Sequence, residues 1–280
     1  MMNKSLRPFT LIVPGGLTPA SIYDTLVEEV TKRGHNIRAV PLPSVRLPSE
    51  AGPVREPPTM YEDAAHIAKE IEALADAGRD VIVVSQSYGG VPATESVRGL
   101  VKAARQKEGK PGGVVRLAYM SSLVAPLGAA ANEVLTNRPR AEGLSVEMDM
   151  DASFSPEHGW IFCTDPIQAA SLTIGEELPE EGQRLASSLA YHSSTSFTNP
   201  LTYAGYKDVA ASYLFCEKDV LIPPESQTDM IELIERESGN KVDVTRVQAG
   251  HAPNVTALGE VVDWIVLMAE KAMADSASES

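Results

Sequence analysis

Residues 81–97 read VIVVSQSYGGVPATESV. The four β-branched apolar residues from Val81 to Val84 are typical of a strand buried on both faces of a parallel sheet. They run without a linker into SQSYGG, and a helical pattern starts at Gly90. A strand that turns at once into a helix presents one side chain on a sharp corner, at the sheet edge where open α/β folds bind their ligands.

The pentapeptide at this corner, residues 85–89, has the form of a nucleophile elbow. Small residues are needed two positions before and two positions after the nucleophile, because the strand and helix backbones nearly touch there. Around Ser87 these positions hold Ser85 and Gly89, whereas a nucleophile at Ser85 would place the branched Val83 at the first of them. The pattern therefore predicts Ser87 as a nucleophile. The alternative is a serine- and glycine-rich turn without chemistry.

Two later segments supply partners for such a serine, which needs a general base and an acid to orient that base. Asp219 follows the strand-like run of YLFCEKDVLIP, and His251 follows the next one in VTRVQAGHAPNV. Both residues are expected at the same sheet edge as Ser87. Glu217 is a second acid that ranks below Asp219, because it lies closer to the strand. The other histidines are expected on the surface or in packing, and of these only His192 is expected to line the pocket: His35, His66, His158 and His192.

The loop after the first strand, VPGGLTPAS at residues 13–21, is expected to complete an oxyanion hole. Gly15 and Gly16 allow a close backbone approach. We expect the backbone N–H groups of Gly16 and Tyr88 to be the two donors. The glycine pair also resembles a phosphate-binding loop, but the GxGxxG and GxxxxGK[ST] motifs are absent, so nucleotide binding is not favoured.

Strand-like and helical runs alternate along residues 1–124 and 201–280, which predicts an α/β core with a mostly parallel sheet flanked by helices. Between residues 125 and 200 the alternation stops, and helix-like pieces separated by proline and glycine predict a helical lid, or cap. Within this lid the segment FSPEHGWIFC at residues 154–163 is expected to form the pocket roof.

Two details concern single helices. GVPATESVRGLVKAARQK at residues 90–107 predicts one continuous helix. The last helix is predicted in LGEVVDWIVLMAEKAM at residues 258–273, followed by a disordered end in MADSASES.

Composition narrows the classes of partner. The 280 residues are 43% hydrophobic and carry a formal net charge of −14, which disfavours nucleic acid and anionic membrane surfaces as partners. The two cysteines, Cys163 and Cys216, form neither a disulfide framework nor a CxxC zinc motif. The N-terminal apolar run is too short for a transmembrane helix and lacks a cleavage site. We therefore expect a soluble chain in the cytoplasm.

The quoted segments together resemble the α/β-hydrolase superfamily. They are most similar to the small cofactor-free serine esterases of the methyl-salicylate esterase and hydroxynitrile lyase type, which include fungal members. The resemblance implies an α/β-hydrolase fold with a helical lid after the sixth strand and no metal or organic cofactor. It assigns the nucleophile, acid, base and two oxyanion donors to Ser87, Asp219, His251, Gly16 and Tyr88.

Two positions depart from the family pattern. Pro14 stands where the family usually has histidine, which leaves backbone donors possible but removes any role for that side chain. Lys218 is adjacent to Asp219 but shifted from the position of the lysine that the lyases use, which weighs against lyase chemistry.

The sequence thus predicts a serine hydrolase that cleaves a small ester, lactone or thioester through an acyl-enzyme, with Leu17, Trp160 and His192 in contact with the substrate. One alternative is a lyase, decarboxylase or cyclase of secondary metabolism that uses the same pocket. Another is a ligand-binding, receptor-like homologue. We expect a small-molecule substrate and neither nucleic acid nor membrane as a partner, and a homodimer is left open.

Overall fold

The computed structural model describes residues 7–47, 56–136, 154–155, 159–163, 165–174 and 180–278. Ten strands lie in these residues: β1 Phe9–Val13, β2 Asn36–Ala39, β3 Val45–Arg46, β4 Asp80–Ser87, β5 Gly113–Ser122, β6 Phe154–Ser155, β7 Trp160–Ile161, β8 Tyr191–Ser193, β9 Ala210–Cys216 and β10 Asp243–Val247. Ten α-helices accompany them: α1 Asp24–Lys32, α2 Met60–Asp76, α3 Gly90–Ser96, α4 Lys102–Lys107, α5 Ala131–Thr136, α6 Pro166–Ile174, α7 Glu180–Ser188, α8 Pro224–Ser238, α9 Pro253–Thr256 and α10 Leu258–Ser278.

Six strands form one sheet in the order β10-β9-β5-β4-β1-β2. Every neighbouring pair in this sheet is parallel. The predicted α/β architecture with a mostly parallel sheet is confirmed. Strand β4 lies inside the sheet between β5 and β1, so its carboxyl end opens near the middle of the ligand edge.

Helices cover both faces of this sheet, which explains why β4 is apolar at every position of its centre. Val81 and Val83 contribute to the core beneath α2, α3 and α8. Ile82 and Val84 contribute to the opposite core, which α1 and α10 cover. The period of two follows from the alternation of side chains along a strand, and burial on both faces favours the β-branched run.

Two helices differ from the sequence prediction. The predicted helix over residues 90–107 is divided into α3 and α4, because the backbone between them turns at Gly99 with φ of 72°. The last helix begins at Leu258 as predicted but continues to Ser278, through most of the tail that was expected to be disordered. No helix within the described ranges is both long and apolar enough to cross a membrane.

The segment between residues 125 and 200 is mixed rather than purely helical. Helices α5, α6 and α7 occupy the helix-like pieces of the sequence. Strands β6, β7 and β8 join β3 in a four-stranded antiparallel sheet. Strands of two or three residues are too short to show an alternating pattern, so no periodic signal predicts them. That this segment forms a lid, and the boundaries of that lid, stay predictions.

The expected position of this segment after the sixth strand also needs correction. Four strands of the large sheet, β1, β2, β4 and β5, precede residue 125, and the other two follow residue 200. In the described sheet the segment therefore follows the fourth strand, because both strands that lead to Asp219 and His251 come after it.

Candidate active site

Three of the predicted residues meet at the carboxyl edge of the sheet. Ser87 ends β4, Asp219 follows β9 and His251 follows β10. His251 Nε2 lies 2.9 Å from Ser87 Oγ, and His251 Nδ1 lies 2.8 Å from Asp219 Oδ2. Because the carboxylate only accepts hydrogen bonds, the ring proton belongs on Nδ1, which leaves Nε2 free to accept the proton of Ser87.

The carboxylate of Asp219 is buried, and hydrogen bonds hold both of its oxygens. Its Oδ1 accepts the backbone N–H groups of Leu221 at 2.8 Å and Ile222 at 2.9 Å. The Glu217 carboxylate, which ranked below it, pairs instead with Arg246 at 2.9 Å. The chain therefore presents Asp219, and not Glu217, to the imidazole of His251.

Sequence reasoning missed Ser121, which contacts both the acid and the base. The Ser121 hydroxyl donates to Asp219 Oδ2, and Ser121 Oγ lies 3.2 Å from His251 Nδ1. Its backbone is left-handed, with φ of 43°. Ser121 lies at the carboxyl end of a strand that the sequence predicts, so its place at the ligand edge was the available signal.

The glycines of the corner are required by close backbone contacts. Ser87 has φ of 50°, a left-handed conformation that turns its side chain out of the strand. A Cβ atom on Gly89 would collide with the carbonyl oxygen of Pro14, and one on Gly90 would collide with that of Leu123. Ser85, in place of the usual first glycine, is accommodated with its Oγ 3.2 Å from Ser122 Oγ.

Gln86 was also missed, although it stands inside the quoted corner. Its Nε2 donates to the carbonyl oxygen of His251 at 2.7 Å, and its Oε1 accepts the hydroxyl of Tyr23. The corner that carries Ser87 is thereby bonded directly to the loop that carries the imidazole. A buried glutamine beside a candidate nucleophile was the signal that could have identified it.

The two predicted oxyanion donors belong to segments that pack against each other. A Cβ atom on Gly16 would lie 3.6 Å from Tyr88 Cβ and 3.2 Å from Phe197 Cζ, so the first loop packs directly against the corner. Gly16, Tyr88 and Ser87 line one cavity. Their role as donors stays a prediction.

The cavity has a volume of about 290 Å³ and also includes His251 in its wall. Most of the wall is apolar, and the segment between residues 125 and 200 supplies much of it through Ile161, Phe162, Ala169, Leu172, Leu185 and Leu189. The polar side chains of the wall outside the candidate catalytic group include Thr18, Cys163, Asp165, Thr173 and Asn254. Across the described part of the chain, no group of three or more His, Cys, Asp or Glu side chains could hold a metal ion.

The three residues expected to contact the substrate have different positions. Leu17 lines the cavity, but the described wall includes neither Trp160 nor His192. On β7 the side chains alternate, so Ile161 faces the cavity while the Trp160 ring packs near the guanidinium of Arg46 at 6.0 Å. The His192 side chain is fully buried behind the first loop, and both of its ring nitrogens are hydrogen-bonded. In the expected roof, His158 and the side chain of Phe154 lie outside the described residues.

The sequence model of the alpha/beta hydrolase family matches residues 10–264. The chain belongs to this family. It is 32% identical over 269 residues to a protein called probable hydrolase R7 from Phoma sp., a match that covers 94% of this chain and 98% of that protein.

Solved structures of other α/β hydrolases share the fold. The pyrethroid hydrolase PytH matches with a TM-score of 0.69 at 18% identity, covering 94% of this chain and 98% of PytH. Polyneuridine aldehyde esterase matches with a TM-score of 0.66 at 17% identity, covering 94% of this chain and 99% of the esterase. The predicted membership of the α/β-hydrolase superfamily is confirmed by the family match, and the structures, at these identities, establish the α/β-hydrolase fold.

Proposed function

We propose that this α/β hydrolase is a carboxylic-ester hydrolase that cleaves a small, largely apolar ester, lactone or thioester through an acyl-enzyme on Ser87. The observation that carries the proposal is the 2.9 Å contact between Ser87 Oγ and His251 Nε2. Both residues line the apolar cavity, and Asp219 supports the far side of the ring. This is the arrangement of a nucleophile, a general base and an orienting acid.

The proposed reaction has two halves. Ser87 Oγ attacks the carbonyl carbon while His251 Nε2 takes its proton, and the imidazolium then protonates the leaving alcohol or thiol. In the second half, water gives a proton to His251 and attacks the acyl-enzyme, which releases the acid and regenerates Ser87. Asp219 stabilises the imidazolium in both halves. The N–H groups of Gly16 and Tyr88 would each contribute about 10²–10³ in kcat by stabilising the oxyanion.

The wall of the cavity supports an apolar substrate of modest size. Its volume of about 290 Å³ is near the lower end of the range for small-molecule sites, roughly 300–1,000 Å³. Two proteins that share the fold are called a pyrethroid hydrolase and an esterase. We therefore propose that this protein acts on esters in which an apolar acyl or alcohol group fills the lid side of the cavity.

A serine-directed fluorophosphonate and a set of p-nitrophenyl esters, from acetate to octanoate, test the proposal. We expect the probe to label Ser87, as read by peptide mass spectrometry, and the esters to be turned over. Ser87→Ala and His251→Ala should each lower turnover by roughly 10⁴-fold or more, and the double variant should be little slower, because the group acts as a unit. Circular dichroism should show that both variants fold.

Ser226→Ala is the matched control, because Ser226 is a buried serine on α8 whose Oγ has no hydrogen-bond partner among the described residues. It should keep wild-type labelling and turnover. Substantial ester turnover by Ser87→Ala would contradict covalent catalysis. Labelling of Ser87 without turnover of any ester would favour a binding protein or a different reaction at the same pocket.

A further inference from the structure

A second chain of buried hydrogen bonds lies behind the first loop, apart from the three residues proposed as catalytic. It starts at Asp63, a fully buried carboxylate in the first turn of α2. Asp63 Oδ1 accepts the backbone N–H of Ser44 at 2.9 Å. Asp63 Oδ2 accepts the hydroxyl of Ser44 at 2.6 Å and that of Tyr88 at 2.7 Å.

Because the Asp63 carboxylate only accepts hydrogen bonds, it determines which atom is the donor in each hydrogen bond of this chain. Ser44 donates its hydroxyl proton to Asp63, so Ser44 Oγ can only accept from His192 Nε2, which lies 3.0 Å away. With its proton on Nε2, the imidazole has Nδ1 as an acceptor, and Nδ1 accepts the backbone N–H of Leu17 at 3.0 Å. Burial lowers the pKa of His192 to about 3, which keeps the ring in this neutral form.

One end of the chain fixes the loop that carries Gly16. Leu17 has φ of 60°, an uncommon conformation for a leucine. Its N–H is bonded to His192, and its carbonyl oxygen accepts the N–H of Ala190 at 2.8 Å. Both polar groups of Leu17 are therefore held by one segment, which sets the orientation of the peptide between Gly16 and Leu17.

The other end of the chain reaches Tyr88, the residue that follows the proposed nucleophile. Its hydroxyl is bonded to Asp63, and its ring packs edge-on against the His192 ring with centroids 4.6 Å apart. The buried carboxylate is thus bonded to Tyr88 directly. Through Ser44 and His192 it also holds the N–H of Leu17, the residue that follows Gly16. Without the acceptor of His192, the Leu17 N–H would lose its partner and the left-handed loop would relax.

We propose that Asp63 and His192 are positioning residues of the oxyanion hole, which hold the N–H groups of Gly16 and Tyr88 toward the oxyanion through one directed chain of hydrogen bonds. The inference rests on the proposed hydrolase function. It assigns His192 a place behind the pocket wall, in contrast to the substrate contact expected from the sequence. The substrate touches neither residue.

Four variants test it on a p-nitrophenyl ester. Asp63→Asn replaces the carboxylate that accepts from both Ser44 and Tyr88. His192→Phe removes Nδ1 while keeping a ring. His192→Asn is the conservative variant, since its amide oxygen can still accept from Leu17. Glu95→Gln is the matched control: Glu95 is a buried carboxylate on α3 that accepts the N–H groups of Thr202 at 2.7 Å and Tyr203 at 3.0 Å, away from the first loop.

Asp63→Asn and His192→Phe should lower kcat by about 10–100-fold and leave KM near the wild-type value, because the oxyanion forms only in the transition state. The affinity for phenyl trifluoromethyl ketone, which forms an oxyanion with the serine, should fall by the same factor. The affinity for acetophenone should not change. His192→Asn should recover most of kcat, and Glu95→Gln should lower the melting temperature without changing kcat.

The inference is wrong if both ketones lose affinity equally, or if His192→Asn is as slow as His192→Phe. If His192→Phe does not fold, the double variant Ser44→Ala/Ser196→Ala removes both hydroxyl oxygens near His192 Nε2, at 3.0 and 3.1 Å, and must give the same pattern. Fluorophosphonate labelling separates the two proposals. Equal labelling rates in wild type and His192→Phe would overturn this inference alone, whereas an unlabelled and inactive wild type would overturn the hydrolase proposal and this inference with it.

Discussion

Backbone strain at the residue scale is concentrated at the candidate site. Among the described non-glycine residues, positive φ occurs at Leu17, Ser87 and Ser121. All three lie at the carboxyl edge of the sheet: Leu17 follows β1, Ser87 ends β4 and Ser121 lies at the end of β5. A left-handed conformation costs an ordinary residue roughly 1–2 kcal/mol. Such strain persists only where the surroundings fix it, and it is common at functional sites.

Ser87 allows this strain to be measured. Ser87→Gly and Ser87→Ala should both be inactive, but the glycine variant should be the more stable by about 1 kcal/mol, because glycine adopts φ of 50° without steric cost. Urea unfolding of the two variants measures the difference. The same pair at Ser122, a buried strand residue outside the left-handed region, should show the opposite order. Equal stabilities at Ser87 would mean that the corner is unstrained.

His192 should make stability depend on pH. Its native pKa of about 3 lies below the ordinary histidine value of about 6.5, so between these values the unfolded chain binds a proton that the native state does not. The free energy of unfolding should therefore fall by about 1.4 kcal/mol for each pH unit below about 6. His192→Asn should lack this contribution, and urea unfolding between neutral pH and about pH 4 measures the gap.

Asp63 should act in the opposite direction, which provides an internal comparison. Burial raises the pKa of Asp63 to about 6 against the hydrogen bonds from Ser44 and Tyr88, so the native state takes up a proton before the unfolded chain does. Its contribution to stability is largest in acid and is lost as pH rises through about 6. Asp63→Asn should therefore lose stability relative to wild type as pH falls. Parallel pH curves for wild type and either variant would contradict the assignment for that residue.

At the scale of elements, the end of α6 is in direct contact with the loop of the proposed base. The N–H of Ala252 donates to the carbonyl oxygen of Thr173 at 3.0 Å, and a Cβ atom on Gly250 would lie 2.9 Å from the same oxygen. Gly250→Ala should push α6 and the loop of His251 apart and lower kcat by about 10-fold or more.

Gly259→Ala is the control for this substitution, since a Cβ atom on Gly259 meets nothing within 4 Å. In the first turn of α10 it should keep wild-type turnover and gain up to about 1 kcal/mol of stability. If both alanine variants keep wild-type kcat, contact between α6 and the His251 loop is unimportant for turnover.

Phe162 and Trp160, which lie close together between residues 125 and 200, should affect substrate selectivity and packing separately. Phe162 lines the cavity and packs edge-on against Tyr191, whereas Trp160 faces Arg46 outside the described wall. Phe162→Ala should shift the ratio of kcat/KM values for octanoate and acetate esters toward octanoate by roughly 10-fold. Trp160→Ala should lower the melting temperature and leave this ratio unchanged. If Trp160→Ala alone shifted the ratio, Trp160 rather than Phe162 would contact the substrate.

The elements that sequence could predict are those with a long periodic signal. The buried strand β4 and helix α8, Pro224–Ser238, follow their patterns closely. The break at Gly99 was missed because the apolar spacing continues across it, and local backbone conformation alone divides the helix. The short strands β6, β7 and β8 depend on pairing with β3 from a distant part of the chain. Pairing of that kind leaves no periodic trace in two or three residues.

For the whole molecule, parallel topology explains why so much of the site was predictable. Strands that run in one direction bring their carboxyl ends to one edge of the sheet. The sequence alone therefore predicts that Ser87, Asp219 and His251 lie close together. The support behind them could not be placed. Ser44 and His192 are 148 residues apart in sequence and meet only when α2, β3 and β8 have packed. Nothing in the surroundings of His192 in the sequence distinguishes a pocket residue from one that lies behind the wall.

The order of the strands in the chain has a consequence for synthesis. Ser87 leaves the ribosome before β9 and β10, which lead to Asp219 and His251. On the proposed assignment, a nascent chain carries the nucleophile without its base and is inert toward esters until His251 has emerged. An mRNA truncated before the codon for His251 would yield a chain in which no base activates Ser87. In a cell-free translation reaction, the onset of ester hydrolysis would therefore time the emergence and folding of the segment that carries His251.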